Sequence, residues 1–113
     1  MNVEHPTVIR PHEHAQWRSE GMGKSTIYQS PHLLVGLNAF EPGQAHALHA
    51  HADMDKVYLV VEGEGQFLLE GSSVAVSAGE MLVAPAGVPH GVRNDSDARL
   101  LVLALLAPGP SRS

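Results

Sequence analysis

The sequence predicts an all-β protein, folded as an antiparallel barrel or sandwich. Short segments rich in apolar and β-branched residues follow one another at close spacing, separated by turn-forming Gly, Pro, Asn and Asp. No segment keeps the 3.6-residue apolar period of an amphipathic helix, so we expect little helix. A chain of 113 residues is long enough for one hydrophobic core but not for two. We therefore expect one domain that spans residues 1–113.

The predicted strands are short, and turn residues end each of them. In the N-terminal part, residues 1–42, Thr7–Arg10 lies between two prolines, Ser25–Gln29 follows a glycine-rich turn, and Leu33–Phe40 follows a Ser-Pro break. From Gly43 onward the predicted strands are Ala45–His51, Val57–Val61, Gln66–Leu69, Ser73–Val76, Met81–Ala84, Gly91–Asn94 and Leu100–Leu106.

The histidines around residue 50 predict a metal site on a strand. His49 and His51 are two residues apart, so in an extended chain they lie on the same face, with Cα atoms roughly 6.6 Å apart. Two imidazoles at that separation can bind one ion, with metal–nitrogen distances of about 2.0–2.1 Å. His46 has the opposite parity, and we expect it to point outward unless a bulge intervenes. The chain has no cysteine, so nitrogen and oxygen must supply the ligands.

Two spaced motifs resemble those of the cupin family, and they cover residues 43–63 and 79–94. The matching residues of the first motif are Gly43, His49, His51 and Gly63, and those of the second are Gly79, Pro85, Gly87, His90 and Asn94. The match is to the small single-domain type. The resemblance implies a double-stranded β-helix, or jelly-roll, barrel.

The second motif adds His90 to the predicted site. Pro85 and Pro89 fix φ, and Gly87 can take the positive φ of a tight corner, so the turn holds His90 in place. In a jelly roll the strand that carries His90 lies opposite the strand that carries His49 and His51. The resemblance therefore implies that these three residues bind one divalent transition metal ion. Iron is the ion we expect, with Mn, Ni, Cu and Zn as alternatives.

Lys56 stands where the first motif of the family has glutamate. A protonated ammonium has no lone pair and is repelled by a dication, so it cannot simply replace the carboxylate. Three arrangements remain open: water fills the position, Asp55 or Asp53 supplies a carboxylate ligand, or a neutral Lys56 faces the metal as base or ligand.

The main functional hypothesis is a metal-dependent enzyme that acts on a small organic substrate, with oxygenase or dioxygenase chemistry. Three neutral histidines leave open positions on a redox metal for substrate and dioxygen. One alternative is a non-redox isomerase, cyclase or lyase in which Tyr58 or Lys56 moves a proton. Another is a module that binds or senses a small ligand without turnover. Fold does not decide among them.

Charge and hydropathy exclude several partners. The net charge of -5 at pH 7 argues against a nucleic-acid or membrane surface. The N-terminal residues lack the apolar core of a secretory signal, and the longest apolar run, Leu100–Ala107, is too short to span a bilayer. We therefore expect a cytoplasmic protein.

The run Leu100–Leu106 predicts a homodimer. It is apolar at every position, so both faces of this strand should be shielded from water. One face can line the barrel, and a second copy of the chain can cover the other. The resemblance implies pairing sheet to sheet, with exchange of the strand Thr7–Arg10. The alternative is that the N-terminal forty residues cover this face within one chain.

Overall fold

The computed structural model describes residues 4–110, and most of this part of the chain is β-strand. The strands are β1 Gly23–Gln29, β2 Leu34–Phe40, β3 Ala45–His49, β4 Asp55–Glu62, β5 Glu64–Leu69, β6 Ser72–Ser77, β7 Met81–Ala84, β8 His90–Arg93 and β9 Leu100–Ala107. Within residues 4–110 the only helix is the four-residue 3-10 segment Pro11–His14. No helix in that range is long and apolar enough to cross a membrane.

The strands form two antiparallel sheets. The five-stranded sheet has the order β1-β2-β9-β4-β7, and the four-stranded sheet has the order β3-β8-β5-β6. The main core cluster takes residues from both sheets, so their inner faces enclose one interior. The predicted all-β jelly-roll class is confirmed.

The predicted strand Thr7–Arg10 is wrong. This segment pairs with no strand in the described chain. Pro6 and Pro11 at its ends have no N–H to donate, which weakens any ladder there. Instead, Ile9 packs against the outer face of the five-stranded sheet. The other predicted strands are present. Met81–Ala84 has its predicted bounds, whereas the others have at least one shifted end, and β3 ends at His49 instead of His51.

Strand β9 lies between two hydrophobic clusters, which explains its unbroken apolar sequence. Leu100, Val102, Ala104 and Leu106 belong to the interior cluster, with side chains such as Phe40, Tyr58 and Phe67. The alternate residues face outward: Leu101 is fully buried, whereas Leu103 and Leu105 are half-buried. The expectation that both faces are shielded therefore holds fully at Leu101 and only in part farther along the strand.

The N-terminal segment covers part of the outer face. Ile9, Ala15 and Trp17 pack against an outer cluster that contains Ile27, Leu37, Ala39 and Leu101. The Arg99 guanidinium lies 4.4 Å from the centre of the Trp17 ring and also pairs with Glu41 at 3.1 Å. The N-terminal residues therefore cover the outer face of this sheet near β1 and β2, as in the alternative of coverage within one chain.

Candidate metal centre

Three histidines from two parts of the chain meet in the barrel. His49 ends β3, His51 follows in the next loop, and His90 begins β8. Their ligand nitrogens lie within 4.8 Å of one another, and the ring centres of His49 and His90 are 4.5 Å apart. His49 and His90 are direct partners in the β3–β8 ladder, which sets their two rings side by side.

Hydrogen bonds fix which nitrogen two of the three rings offer. The Nδ1–H of His49 donates to the Ala47 carbonyl at 2.7 Å, and that of His90 donates to the Val88 carbonyl at 2.9 Å. A carbonyl only accepts, so Nδ1 carries the proton and Nε2 keeps its lone pair. This is the arrangement of a metal-binding histidine, whose second nitrogen donates to a backbone carbonyl.

The Nε2 atoms fit a divalent ion. Those of His49, His51 and His90 are buried, and none has a hydrogen-bond partner within the described residues. A buried polar atom without a partner is costly, and a metal ion would satisfy all three. Burial also lowers the pKa of His51 and His90, which favours the neutral, ligating form.

A tight turn holds His51 and positions His90. Gly87 has φ +80° and its N–H donates to the His51 carbonyl at 2.8 Å, while the N–H of Val88 donates to the Pro85 carbonyl at 3.1 Å. The positive φ explains the glycine, because other residues are strained there. The predicted rigid turn thus tethers the backbone of His51 at Gly87, three residues before His90.

The structure does not bring Asp55 into the histidine group. Its side chain is exposed, and Oδ1 accepts the N–H of Ala86 at 2.9 Å in the same turn. The alternation of β4 explains this placement, since Lys56 faces the interior and Asp55 therefore faces away. Asp53 is also exposed, in the loop after β3. Neither carboxylate lies among the clustered nitrogens.

Lys56 faces the barrel interior and is only 5% exposed. Its Nζ lies 4.6 Å from the centre of the Tyr58 ring, a favourable cation–π distance. Burial, with a smaller contribution from the charge of Lys24, lowers the pKa of Lys56 from 10.5 to about 8. Lys56 therefore occupies an inward position on the strand beside the histidine group.

Tyr58 lies behind the histidines as part of the core. It is fully buried, and its ring is 5.8 Å from that of His90 and 5.6 Å from that of Phe67. Its hydroxyl has no hydrogen-bond partner in the part of the chain that the structure describes. Burial raises the pKa of this phenol, so Tyr58 stays protonated.

His46 lies inside the site, where simple alternation had placed it outside. The β3–β8 register shifts between His46 and His49, and this irregularity turns the two rings to the same side, with centres 4.2 Å apart. Its Nδ1 is buried and unpartnered among residues 4–110. Burial, and then the charge of His49, lowers the pKa of His46 to about 4. We expected His46 to point outward unless a bulge intervened, and this register shift is such a bulge.

A cavity of about 260 Å³ opens beside the histidines. Its polar lining includes residues from β1 and β2 that the sequence analysis did not single out. These are Lys24, Ser25, Thr26 and Asn38, and the remaining lining residues are Leu34, Gly36, His46, His49, His51, Met54, Lys56, Ala104, Leu106 and Pro110. Asn38 could have been noticed as a polar residue at an inward position between Gly36 and Phe40.

Comparisons with known proteins agree with this fold. The family model of the cupin domain matches residues 36–106. An oxalate-binding protein of Thermotoga maritima is 31% identical over 85 residues, which cover 75% of this chain and 69% of that protein. Three further curated relatives are matched over only 49%, 52% and 53% of their length.

Solved structures share the architecture over nearly the whole chain. The crystal structure of a Thermus thermophilus protein superposes with a TM-score of 0.86 and is 38% identical, covering 91% of this chain and 98% of the other. The structure of KdgF from Halomonas sp. has a TM-score of 0.81 at 27% identity, covering 95% and 97%.

Replacing His90 by alanine should lower the metal content of the purified protein at least about tenfold, because one ligand nitrogen is lost. Elemental analysis of protein purified without added metal measures this. The matched control is His32→Ala, an exposed histidine outside the cluster, which should retain the wild-type content. An unchanged metal stoichiometry in His90→Ala would contradict the three-histidine site.

Replacing Lys56 by methionine should stabilise the metal-free protein at pH 7 by about 1–3 kcal/mol, because a buried charge is removed while the cation–π contact is lost. Folding lowers the pKa of Lys56 from 10.5 to about 8, so between these values the unfolded chain binds more protons. Above pH 8 the free energy of unfolding of the wild type should therefore rise relative to that of Lys56→Met. The difference in stability between the two proteins should vanish by pH 10.5.

Urea unfolding of both proteins across this pH range makes the comparison. Lys24→Met is the control, because Lys24 is exposed and its replacement should change stability by no more than about 0.5 kcal/mol. If Lys56→Met is less stable than wild type at pH 7, the ammonium is well solvated or paired in the folded protein.

Proposed function

The chain belongs to the cupin-domain family, and from this premise we propose a metal-dependent enzyme with oxygenase chemistry on a small organic substrate. The single observation that carries the proposal is the set of three buried Nε2 atoms, on His49, His51 and His90, without partners in residues 4–110. The cavity beside them is slightly smaller than the roughly 300–1,000 Å³ of sites for drug-sized ligands, which favours a small molecule.

Side chains of this chain would bind the metal and orient the substrate. His49 and His90 keep fixed tautomers through their carbonyl hydrogen bonds, so both rings are preorganised. When bound, a redox metal such as iron would supply open positions for substrate and dioxygen. Lys56 leaves uncovered a position that a glutamate would fill. The apolar residues Met54 and Leu106 restrict water at the site.

Two alternatives each have one supporting observation. For a non-redox isomerase, cyclase or lyase, Lys56 is the better proton carrier, because its pKa of about 8 lies near neutrality. Tyr58 can act there only as a proton donor, because burial raises its pKa. For a binding or sensing module, the support is the 31% identical relative named an oxalate-binding protein.

Dioxygen uptake by the iron-loaded protein, measured against a panel of small organic substrates, tests the oxygenase function. Uptake that depends on substrate and is lost in His49→Ala is the expected result. Product formation without oxygen uptake would favour the non-redox enzyme. Tight ligand binding with no product would favour the binding module.

Lys56→Glu should retain metal about tenfold more tightly and lose most of its activity, because a carboxylate attracts the ion and fills the position that substrate needs. Equilibrium dialysis against a chelator and the uptake assay measure the two effects. Lys24→Glu, at the exposed edge of the cavity, is the control and should leave metal retention near wild type. Unchanged retention and activity in Lys56→Glu would mean that residue 56 acts on neither metal nor substrate.

We also propose that two copies pair through the uncovered part of the five-stranded sheet. Cross-strand pairing aligns Val83 with Val57 and Leu105, and aligns Met81 with Leu59 and Leu103, in two apolar rows. Residues that are paired in this way face the same side of a sheet. Met81 is 59% exposed and Val83 is 62% exposed.

A second copy is the occupant that these rows fit best. The rows run from the edge strand β7 to β9, and the groove beside them, about 410 Å³, is lined by Thr7, Ile9, Pro11, Ile27, Tyr28, Val35 and Leu103. Val8 in the unpaired N-terminal segment is 86% exposed, so this segment can reach a neighbouring chain. A two-fold pairing would bury the same apolar rows on both copies, and each buried leucine or valine contributes about 1.5–3 kcal/mol before association costs.

Sedimentation at micromolar concentration should give a species of twice the 12.0 kDa chain mass. The double variant Met81→Lys and Val83→Lys should sediment as the monomer, because two charges would be buried at the interface. The control is Val74→Lys, since Val74 is 47% exposed on the other sheet and should leave the mass unchanged. A wild-type monomer would refute the pairing.

A further inference from the structure

The cavity beside the histidines is rich in positive charge and lacks carboxylates. Two lysines line it: Lys56, which is almost fully buried, and Lys24, which is exposed. None of the fourteen lining residues is aspartate or glutamate. With a divalent ion on the neutral histidines, the cavity would hold several positive charges and no carboxylate among these lining residues to balance them.

Lys56 has no ion-pair partner within the described chain. The salt bridges found in residues 4–110 join His12 to Glu62 and Arg99 to Glu41, both away from this cavity. A buried ammonium without an opposite charge costs folding free energy, and lysines are almost never fully buried unless they are paired. Asp55, the carboxylate residue next to Lys56 in the sequence, faces away and accepts the Ala86 N–H. Within residues 4–110 no carboxylate balances this charge, so an anionic ligand can supply it.

We propose that the ligand of this cavity is a small carboxylate anion whose carboxylate pairs with the Lys56 ammonium. This inference rests on the proposed function, because it names the substrate class of the same site. Lys24 stands on the edge strand β1, where its charge attracts the anion towards the cavity. Leu34, Met54 and Leu106 lower the local polarity, which strengthens a charged pair once water is excluded.

The lining favours a carboxylate over a phosphate. Phosphate sites commonly use several backbone N–H groups at a helix N-terminus or the bidentate fork of arginine. No arginine lines this cavity, and residues 4–110 contain no α-helix. One ammonium, with Asn38 and the Thr26 hydroxyl on the same wall, matches a planar acid group on a small molecule. The small volume limits the remainder of the ligand.

Calorimetric titration of the zinc-loaded protein tests this with matched probes: malonate against malonamide, and acetate against acetamide. We expect malonate to bind at least about tenfold more tightly than malonamide. Lys56→Met should weaken malonate binding about 10–100-fold and leave malonamide binding unchanged, because only the charge-assisted contact is lost. Lys24→Met should weaken malonate binding only about two- to fivefold, and the effect should vanish at high salt.

The outcomes separate this inference from the proposed function. Zinc does not change its redox state, so binding is measured without oxygenase turnover. Malonate binding with no dioxygen uptake by the iron-loaded protein would remove the oxygenase function and keep the carboxylate site. Equal affinity for malonate and malonamide, unchanged malonate affinity in Lys56→Met with wild-type metal content, or tighter binding of inorganic phosphate than of malonate would each overturn the inference.

Discussion

The ladder between β3 and β8 is the constraint on which the site depends. It pairs His49 directly with His90, so residues some forty positions apart in sequence acquire neighbouring rings. The same ladder carries the register shift that brings His46 inside. In the turn before β8, the Gly87 N–H donates a hydrogen bond to the His51 carbonyl. A backbone hydrogen bond therefore also holds His51 in place. Backbone contacts of this kind hold a site more closely than side-chain packing alone.

Much of the fold and of the site could be predicted because the relevant signals are local. Turn residues separate the strands from β1 to β9, and the spacing of glycine, proline and histidine in the two motifs identified His49, His51 and His90. The inward position of Lys56 also follows from the simple alternation of β4. Each of these inferences depends only on the types and spacing of residues that are close in the sequence.

The rest could not be predicted because it depends on contacts between distant segments. Thr7–Arg10 has a strand-like sequence, but its pairing would require an open sheet edge, and it packs on a face instead. The side of β3 on which His46 lies is decided by a bulge against β8, which periodicity cannot show. The cavity wall formed by Lys24 and Asn38 arises from the β1–β2 pairing.

Strand β9 separates the cavity from the outer sheet face by a single layer of backbone. Ala104 and Leu106 line the cavity, while the alternate residues Leu103 and Leu105 face outward. A change of side-chain volume on this strand would therefore disturb the packing either around the cavity or on the outer face of the sheet. β1 is an edge strand with exposed Lys24 and Thr26 on the cavity rim, so it can change side chains at far lower cost. Divergence of ligand preference among proteins with this architecture should therefore concentrate in β1, while β9 stays apolar throughout.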